Sequence, residues 1–171
     1  MKILIIGSCR NDDIEHNPEA HKKLAEELGK ELALRGHEII TGGAGGLQGI
    51  LASSFKRNNG KRWIIYLASG EKNDKNAKPL EKINSDEEIQ TEYNYAMRDA
   101  FYIEKCDAVL ALSGKLLTFA EIIHAVKNYH KKVFQLEIGE NIERIKNSIE
   151  LKGSVCISQN IKEGLDFLEK R

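Results

Sequence analysis

The strongest constraint on this chain is an alternation that runs its whole length. Short apolar runs are separated by stretches with the spacing of amphipathic helices. Lys2–Ile6 is a continuous apolar run closed by Gly7, as expected of a strand buried on both faces of a parallel sheet. Asn17-Pro18-Glu19 reads as a helix start: Asn as the cap, Pro at the first helical position, then an acid where the helix dipole favours it. Leu24, Leu28 and Leu32 form that helix's apolar stripe, and Arg35-Gly36 ends it. A strand at His37–Thr41, a helix from about Leu47 to Asn58 and a strand at Trp63–Leu67 follow. The polar stretch Ala68–Ser85, which contains Pro79, is the longest loop, and Ser85-x-x-Glu88 has the spacing of a capping box and predicts a helical start. Next come a helix at Asn94–Lys105, a strand at Asp107–Leu112, a helix at Thr118–His130 and a strand at Lys132–Leu136. A helix at Asn141–Leu151, a strand at Ser154–Ser158 and a helix at Ile161–Lys170 close the chain. Strand and helix in strict alternation predict a doubly wound α/β sandwich with a mostly parallel sheet. With 171 residues, no repeat and no linker, residues 1–171 form one domain.

Composition narrows the function classes. Lys and Arg total 26, Asp and Glu total 26, and the formal net charge is zero, which argues against the basic footprint of a nucleic-acid binder. No apolar run approaches the roughly 20 residues that cross a bilayer, and the N-terminus has no signal-peptide layout, so a cytoplasmic protein without a membrane partner is expected. Cys9, Cys106 and Cys156 form no C-x-x-C pair, and an odd count suits no complete disulfide framework; reduced thiols are expected. No metal site and no cofactor is expected.

In open α/β sheets ligands bind beyond the carboxyl ends of the strands. Three such ends carry unusual loops: Gly7-Ser8-Cys9-Arg10, the cluster Gly42-Gly43-Ala44-Gly45-Gly46-Leu47-Gln48-Gly49, and Ser113–Thr118. Glycine lets backbone approach a ligand closely, and a helix starting after each loop adds a positive dipole end, so a phosphate-bearing ligand is expected. The cluster is not the dinucleotide fingerprint, because from Gly43 the G-x-G-x-x-G frame fails at Gln48, and no P-loop frame exists. Five glycines within eight positions favour ligand approach over a mere tight turn. Taken alone, Thr118-x-x-Glu121 reads as a capping box, and Arg98 reads as a solvated surface arginine.

These residues together resemble the LOG-like proteins, phosphoribohydrolases that act on cytokinin nucleotides, and their short relatives often mislabelled lysine decarboxylases. The resemblance rests on Gly7-Ser8-Cys9-Arg10, on Thr41–Gly49, and on the segment from Arg98 through Asp107 and Gly114 to Glu121, whose spacings match without a gap. It covers roughly residues 3–136 and implies a Rossmann-like nucleotide-binding fold of the group that also includes DNA-processing and sensor modules. It implies that Arg98 and Glu121 are the catalytic pair. It implies further that Gly7, Ser8, Arg10, Gly42, Gly43, Gly45, Gly46, Gly114, Lys115 and Thr118 bind the nucleotide and its phosphate. The chain departs from the family's phosphate loop: Ser113 stands for its proline, and Lys115 and Leu117 stand for two of its glycines.

Three functions follow as expectations. The first is a hydrolase that splits a purine-type nucleoside 5'-monophosphate into base and ribose 5-phosphate, with Glu121 stabilising the ribosyl centre or orienting water and Arg98 polarising the leaving base. The retained Arg98–Glu121 pair favours it. The second is a non-catalytic nucleotide or cofactor sensor or carrier using the same pocket, favoured by the altered Ser113–Leu117 loop. The third is a nucleoside 2-deoxyribosyltransferase-like enzyme. The resemblance, with the surplus apolar residues Tyr93, Tyr95, Met97, Phe101 and Tyr102, also predicts a homodimer or higher homo-oligomer.

Overall fold

A computed structural model describes residues 1–7, 19–43, 45–70 and 85–170. The elements are β1 (Lys2–Ile6), α1 (Glu19–Leu34), β2 (Glu38–Thr41), α2 (Gly46–Arg57), β3 (Arg62–Leu67), β4 (Glu87–Gln90) and α3 (Tyr95–Lys105). They continue with β5 (Ala108–Ala111), α4 (Leu116–Tyr129), β6 (Val133–Leu136), α5 (Ile142–Asn147), a 3-10 turn (Ile149–Leu151), β7 (Val155–Ser158) and α6 (Ile161–Glu169). The seven strands form one sheet in the order β4-β3-β2-β1-β5-β6-β7, with every neighbouring pair parallel. The predicted doubly wound, Rossmann-like α/β sandwich is the fold observed.

The period-2 geometry of strands explains the two cores. In β1, Ile3 and Ile5 point to one face and pack with Leu28 and Leu32 of α1, Leu47, Leu51 and Phe55 of α2, and Leu165 and Leu168 of α6. Leu4 and Ile6 point to the other face and meet Tyr102 and Ile103 of α3, Ile122 and Val126 of α4, and Ile145 of α5. Both sheet faces are therefore covered by helices, and this is why the central strands read as unbroken apolar runs. The α1 stripe is realised with Leu28 and Leu32 fully buried.

The segment at Ser85–Glu88 is a correction. It starts no helix, and Glu87–Gln90 is instead the edge strand β4, paired with β3 from Ile64↔Glu87 to Leu67↔Gln90. An edge strand with a half-solvated face needs few apolar residues, and Ile89 alone supplies them here. Helix α4 begins at Leu116, two residues before the expected Thr118, and the expected Asn141–Leu151 helix is a short α5 followed by a 3-10 turn. The cap at Asn17-Pro18, the thiol of Cys9 and most of the Ala68–Ser85 loop lie outside the described residues. Cys106 is buried, which pushes its thiol up to about 12, as suits a small core hydrophobe. No described helix is long and apolar enough to cross a membrane.

Candidate ligand site at the carboxyl edge of the sheet

Strand order reverses between β1 and β5, the place where open α/β sheets leave a crevice at their carboxyl ends. The loops after β1 and β5 touch there. Gly7 has φ of 123°, and a Cβ on it would stand 2.8 Å from the carbonyl oxygen of Ser113, so only glycine fits without displacement. The Gln48 side chain, from the first turn of α2, donates its Nε2 to the Gly7 carbonyl oxygen at 3.1 Å and ties the glycine cluster to β1. Ser8 and Arg10 lie outside the described residues.

The loop after β5 is held from behind. Asn141, at the start of α5 and fully buried, donates its Nδ2 to the carbonyl oxygens of Gly114 (3.0 Å) and Lys115 (2.6 Å). A trans peptide points its N–H opposite its C=O. Fixing these two carbonyls therefore turns the N–H groups of Lys115 and Leu116 away from Asn141. Gly114 has φ of 119°, with Thr118 packed beneath it. Thr118 is buried, whereas Lys115, Leu116 and Leu117 are exposed at the rim. Neither Gly45 before α2 nor Lys115 before α4 makes a side-chain cap bond, in contrast to Asn94 before α3 and Asn160 before α6. Among the described residues, no N-cap side chain takes the first-turn N–H groups of α2 and α4.

Arg98 is not a solvated surface residue. It is 7% exposed, and its guanidinium is turned inward. Nε donates to Asp99 Oδ1 at 2.8 Å, and Nη2 lies 2.8 Å from the same oxygen. Nη1 donates to the carbonyl oxygens of Gly42 (2.7 Å) and Tyr66 (3.1 Å). The rings of Tyr102 and Tyr95 lie 4.9 and 5.4 Å from the guanidinium carbon. Gly42 is required by this contact, since a Cβ there would meet Nη1 at 2.4 Å.

Glu121 does not cap α4 as the Thr118-x-x-Glu121 spacing suggested, because the N-cap is Lys115 and Thr118 is inside the helix. Its Oε1 instead accepts a hydrogen bond from the Tyr102 hydroxyl at 2.5 Å. Burial pushes the Glu121 carboxyl up to about 7 and the Asp99 charge adds to this; the Tyr102 bond and the Arg98 charge act the other way without offsetting it. Tyr102 therefore links the two members of the expected pair, lying across Arg98 and bonded to Glu121. Tyr102 itself is buried, and Phe101 packs against Tyr66 and Tyr93. Of the five apolar residues expected at an interface, only Tyr93, Tyr95 and Met97 are left exposed. Among the described residues, no group of three or more His, Cys, Asp or Glu could hold a metal ion.

Sequence reasoning missed Asp99, Tyr102, Gln48 and Asn141. Helical neighbours at i and i+1 do not normally face one another, so nothing in the pattern paired Arg98 with Asp99. Tyr102, four residues after Arg98, had the right spacing to lie over it.

The comparisons with known proteins agree with this fold. An uncharacterized protein of Archaeoglobus fulgidus is 27% identical over 164 residues, covering 95% of this chain and 98% of its own length. The molybdenum cofactor carrier protein of Chlamydomonas reinhardtii superposes with a TM-score of 0.76 at 23% identity, covering 99% of this chain and 98% of that one. The DNA processing protein A of Helicobacter pylori, described with a single-stranded DNA binding mode, superposes with a TM-score of 0.71 at 19% identity, covering 98% of this chain and 80% of that one. At these identities the two structures share the fold. The model of the SLOG cluster4 family matches residues 1–165, and the chain belongs to that family.

Proposed function

We propose that the protein binds a phosphate-bearing ligand of nucleotide type at the carboxyl edge of its sheet and holds it without cleaving it, as a carrier or sensor does. The observation that carries this reading is what gathers at the strand-order reversal: Gly7 against Ser113, Gln48 of α2 bonded to the Gly7 carbonyl oxygen, and Asn141 holding the Gly114 and Lys115 carbonyls just before α4. Uncapped helix starts offer backbone N–H groups and positive dipole ends to an anion. Lys115 adds a charge at the rim. Binding without cleavage is favoured because the Arg98 donors go to Asp99 and two backbone carbonyls, so the guanidinium is not turned toward a leaving base. The likeness to a molybdenum cofactor carrier is in keeping with it.

A second reading, hydrolysis of the N-glycosidic bond, is favoured by one observation. A carboxyl with its pKa near 7 is suited to act as a general acid or base at neutral pH, and Glu121 has that property at the same edge. One experiment separates the two. The protein is titrated with adenosine, guanosine, cytidine and uridine monophosphates by calorimetry, and the same mixtures are assayed for free base by chromatography. Saturable binding with no base released supports the carrier reading, release of base that stops in Glu121→Gln supports the hydrolase, and no binding refutes both.

A further inference from the structure

We infer that Arg98 and Asp99 form a strut that sets the shape of the glycine loop after β2, making Arg98 a positioning residue that does not itself touch the ligand. The inference rests on the binding reading above only for its effect on affinity; its effect on the loop stands apart.

The guanidinium bridges three elements. Through Nη1 it holds the carbonyl oxygen of Gly42, just past the end of β2, and that of Tyr66 in β3. Through Nε and Nη2 it rests on a single Asp99 oxygen in α3. Asp99 is itself 7% exposed and meets the guanidinium at 2.8 Å through both nitrogens. The planar fork of arginine can serve two carbonyls and a carboxylate at once; a lysine ammonium, a point charge on a flexible stem, cannot reproduce those directions.

The consequence passes along the backbone. Because the Gly42 carbonyl is drawn toward Arg98, the N–H of Gly43 in the same planar peptide points the opposite way. Gly43 is buried, yet among the described residues a Cβ built on it would meet nothing within 4 Å. Gly42 is closed on the Arg98 side, so the guanidinium acts as a template for the loop.

The test compares Arg98→Lys, Arg98→Gln, Asp99→Asn and Gly42→Ala with the parent. Amide spectra of the ligand-free proteins are recorded with Gly43, Gly45 and Gly46 assigned. Adenosine monophosphate affinity is then measured at several salt concentrations. The strut predicts that Arg98→Lys and Asp99→Asn both move the Gly43 and Gly45 amide resonances before any ligand is added. Both should weaken binding about tenfold or more, with the salt dependence of affinity unchanged, because no ligand-facing charge is lost. Gly42→Ala should reproduce the same displaced resonances. Added guanidinium should partly restore binding to an Arg98→Ala chain at concentrations that leave the parent unaffected. The inference is overturned if Arg98→Lys binds like the parent while Arg98→Gln loses both affinity and salt dependence, since Arg98 would then be a ligand-facing charge. It is also overturned if Asp99→Asn leaves the loop resonances in place. Should Arg98→Gln fail to fold, Arg98→Lys and Asp99→Asn still decide the matter. Should the parent bind no nucleotide, the binding reading falls, and the ligand-free spectra still decide the strut.

Discussion

Two arginines stand at opposite ends of the same sheet and are used differently. At the amino edge Arg35 closes α1 and is ringed by acids: Glu31 at 2.9 Å, Asp166 at 2.8 Å and Glu169 at 3.1 Å, with His37 on Glu169 at 2.8 Å. Its partners are exposed by a third or more, and the network ties α6 to α1. At the carboxyl edge Arg98 is nearly buried, meets one carboxylate and gives Nη1 to two backbone carbonyls, one in the loop after β2 and one in β3. A charge matched by exposed charges steadies the fold and leaves loop shape alone. A buried charge matched by backbone carbonyls decides where a loop runs, and the loop in question borders the candidate site.

The largest effect expected is from Arg98→Gln. It leaves Asp99 as a buried unpaired carboxylate and strips a donor from two carbonyls, which should cost about 3–5 kcal/mol. At roughly 2–4 °C per kcal/mol for a domain of this size, calorimetry should show a Tm lowered by about 6–20 °C. A loss no larger than that of Arg35→Gln would erase the distinction between the two edges.

The edges should also respond to pH with opposite signs. In the folded protein Glu121 has a carboxyl pKa of about 7, above its unfolded value. The folded state then holds an extra proton between pH about 4.5 and about 7, and Glu121's contribution to stability declines as pH rises through that window. At about 1.4 kcal/mol per pH unit over that window, the change is on the order of 3 kcal/mol. Glu121→Gln should remove this decline, seen as a flatter Tm profile from pH 5 to 8. At the amino edge the hydrogen bonds from Arg35 and His37 outweigh burial and hold Glu169 below the usual carboxylate range, and burial lowers the His37 pKa. Those contributions are present at neutral pH and are lost as pH falls through the folded values. Glu169→Gln should therefore remove the Glu169 part of the acid limb and, by taking the carboxylate from His37, lower the His37 pKa further.

Arg35→Gln should cost about 1 kcal/mol, because its partners are solvated and each exposed pair contributes little. Tm should drop by about 2–4 °C with ligand affinity unchanged. A change in affinity would show that the amino edge also shapes the site. The effect of Tyr102→Phe is of similar size. It removes the donor to the buried Glu121 carboxyl and should raise the carboxyl pKa further, read by carbon-detected NMR of the Glu121 carboxyl, at a stability cost of about 1 kcal/mol or more.

Most of the fold was legible because strands buried on both faces leave unbroken apolar runs such as Ile3–Ile6 and Ala108–Leu112, and α1 leaves a clean stripe. Strand β4 was not legible, because an edge strand with one half-covered face carries a single apolar residue and its Ser85-x-x-Glu88 spacing imitates a cap. At the carboxyl edge the need for glycine at Gly7, Gly42, Gly46 and Gly114 was readable, since crowded or left-handed backbone demands glycine in the sequence itself. The buried state of Arg98 was not. It depends on a neighbouring Asp99 that helical geometry would ordinarily point elsewhere, and on backbone carbonyls of Gly42 and Tyr66, which have no signature in the side-chain sequence. The capping-box reading of Glu121 failed for a similar reason: its partner, Tyr102, is on another helix.

The central claim is that the carboxyl edge, built from the loops after β1, β2 and β5, is where a nucleotide-type phosphate ligand is held. The most direct measurement is a titration of isotopically labelled protein with adenosine monophosphate, following backbone amide shifts residue by residue. The account predicts saturable shifts concentrated at Gly7, Gly43, Gly45, Gly46 and Gly114–Thr118, with Arg35, His37 and α6 unchanged. Saturable shifts centred elsewhere, or no saturable shift with any of the four nucleoside monophosphates, would contradict it.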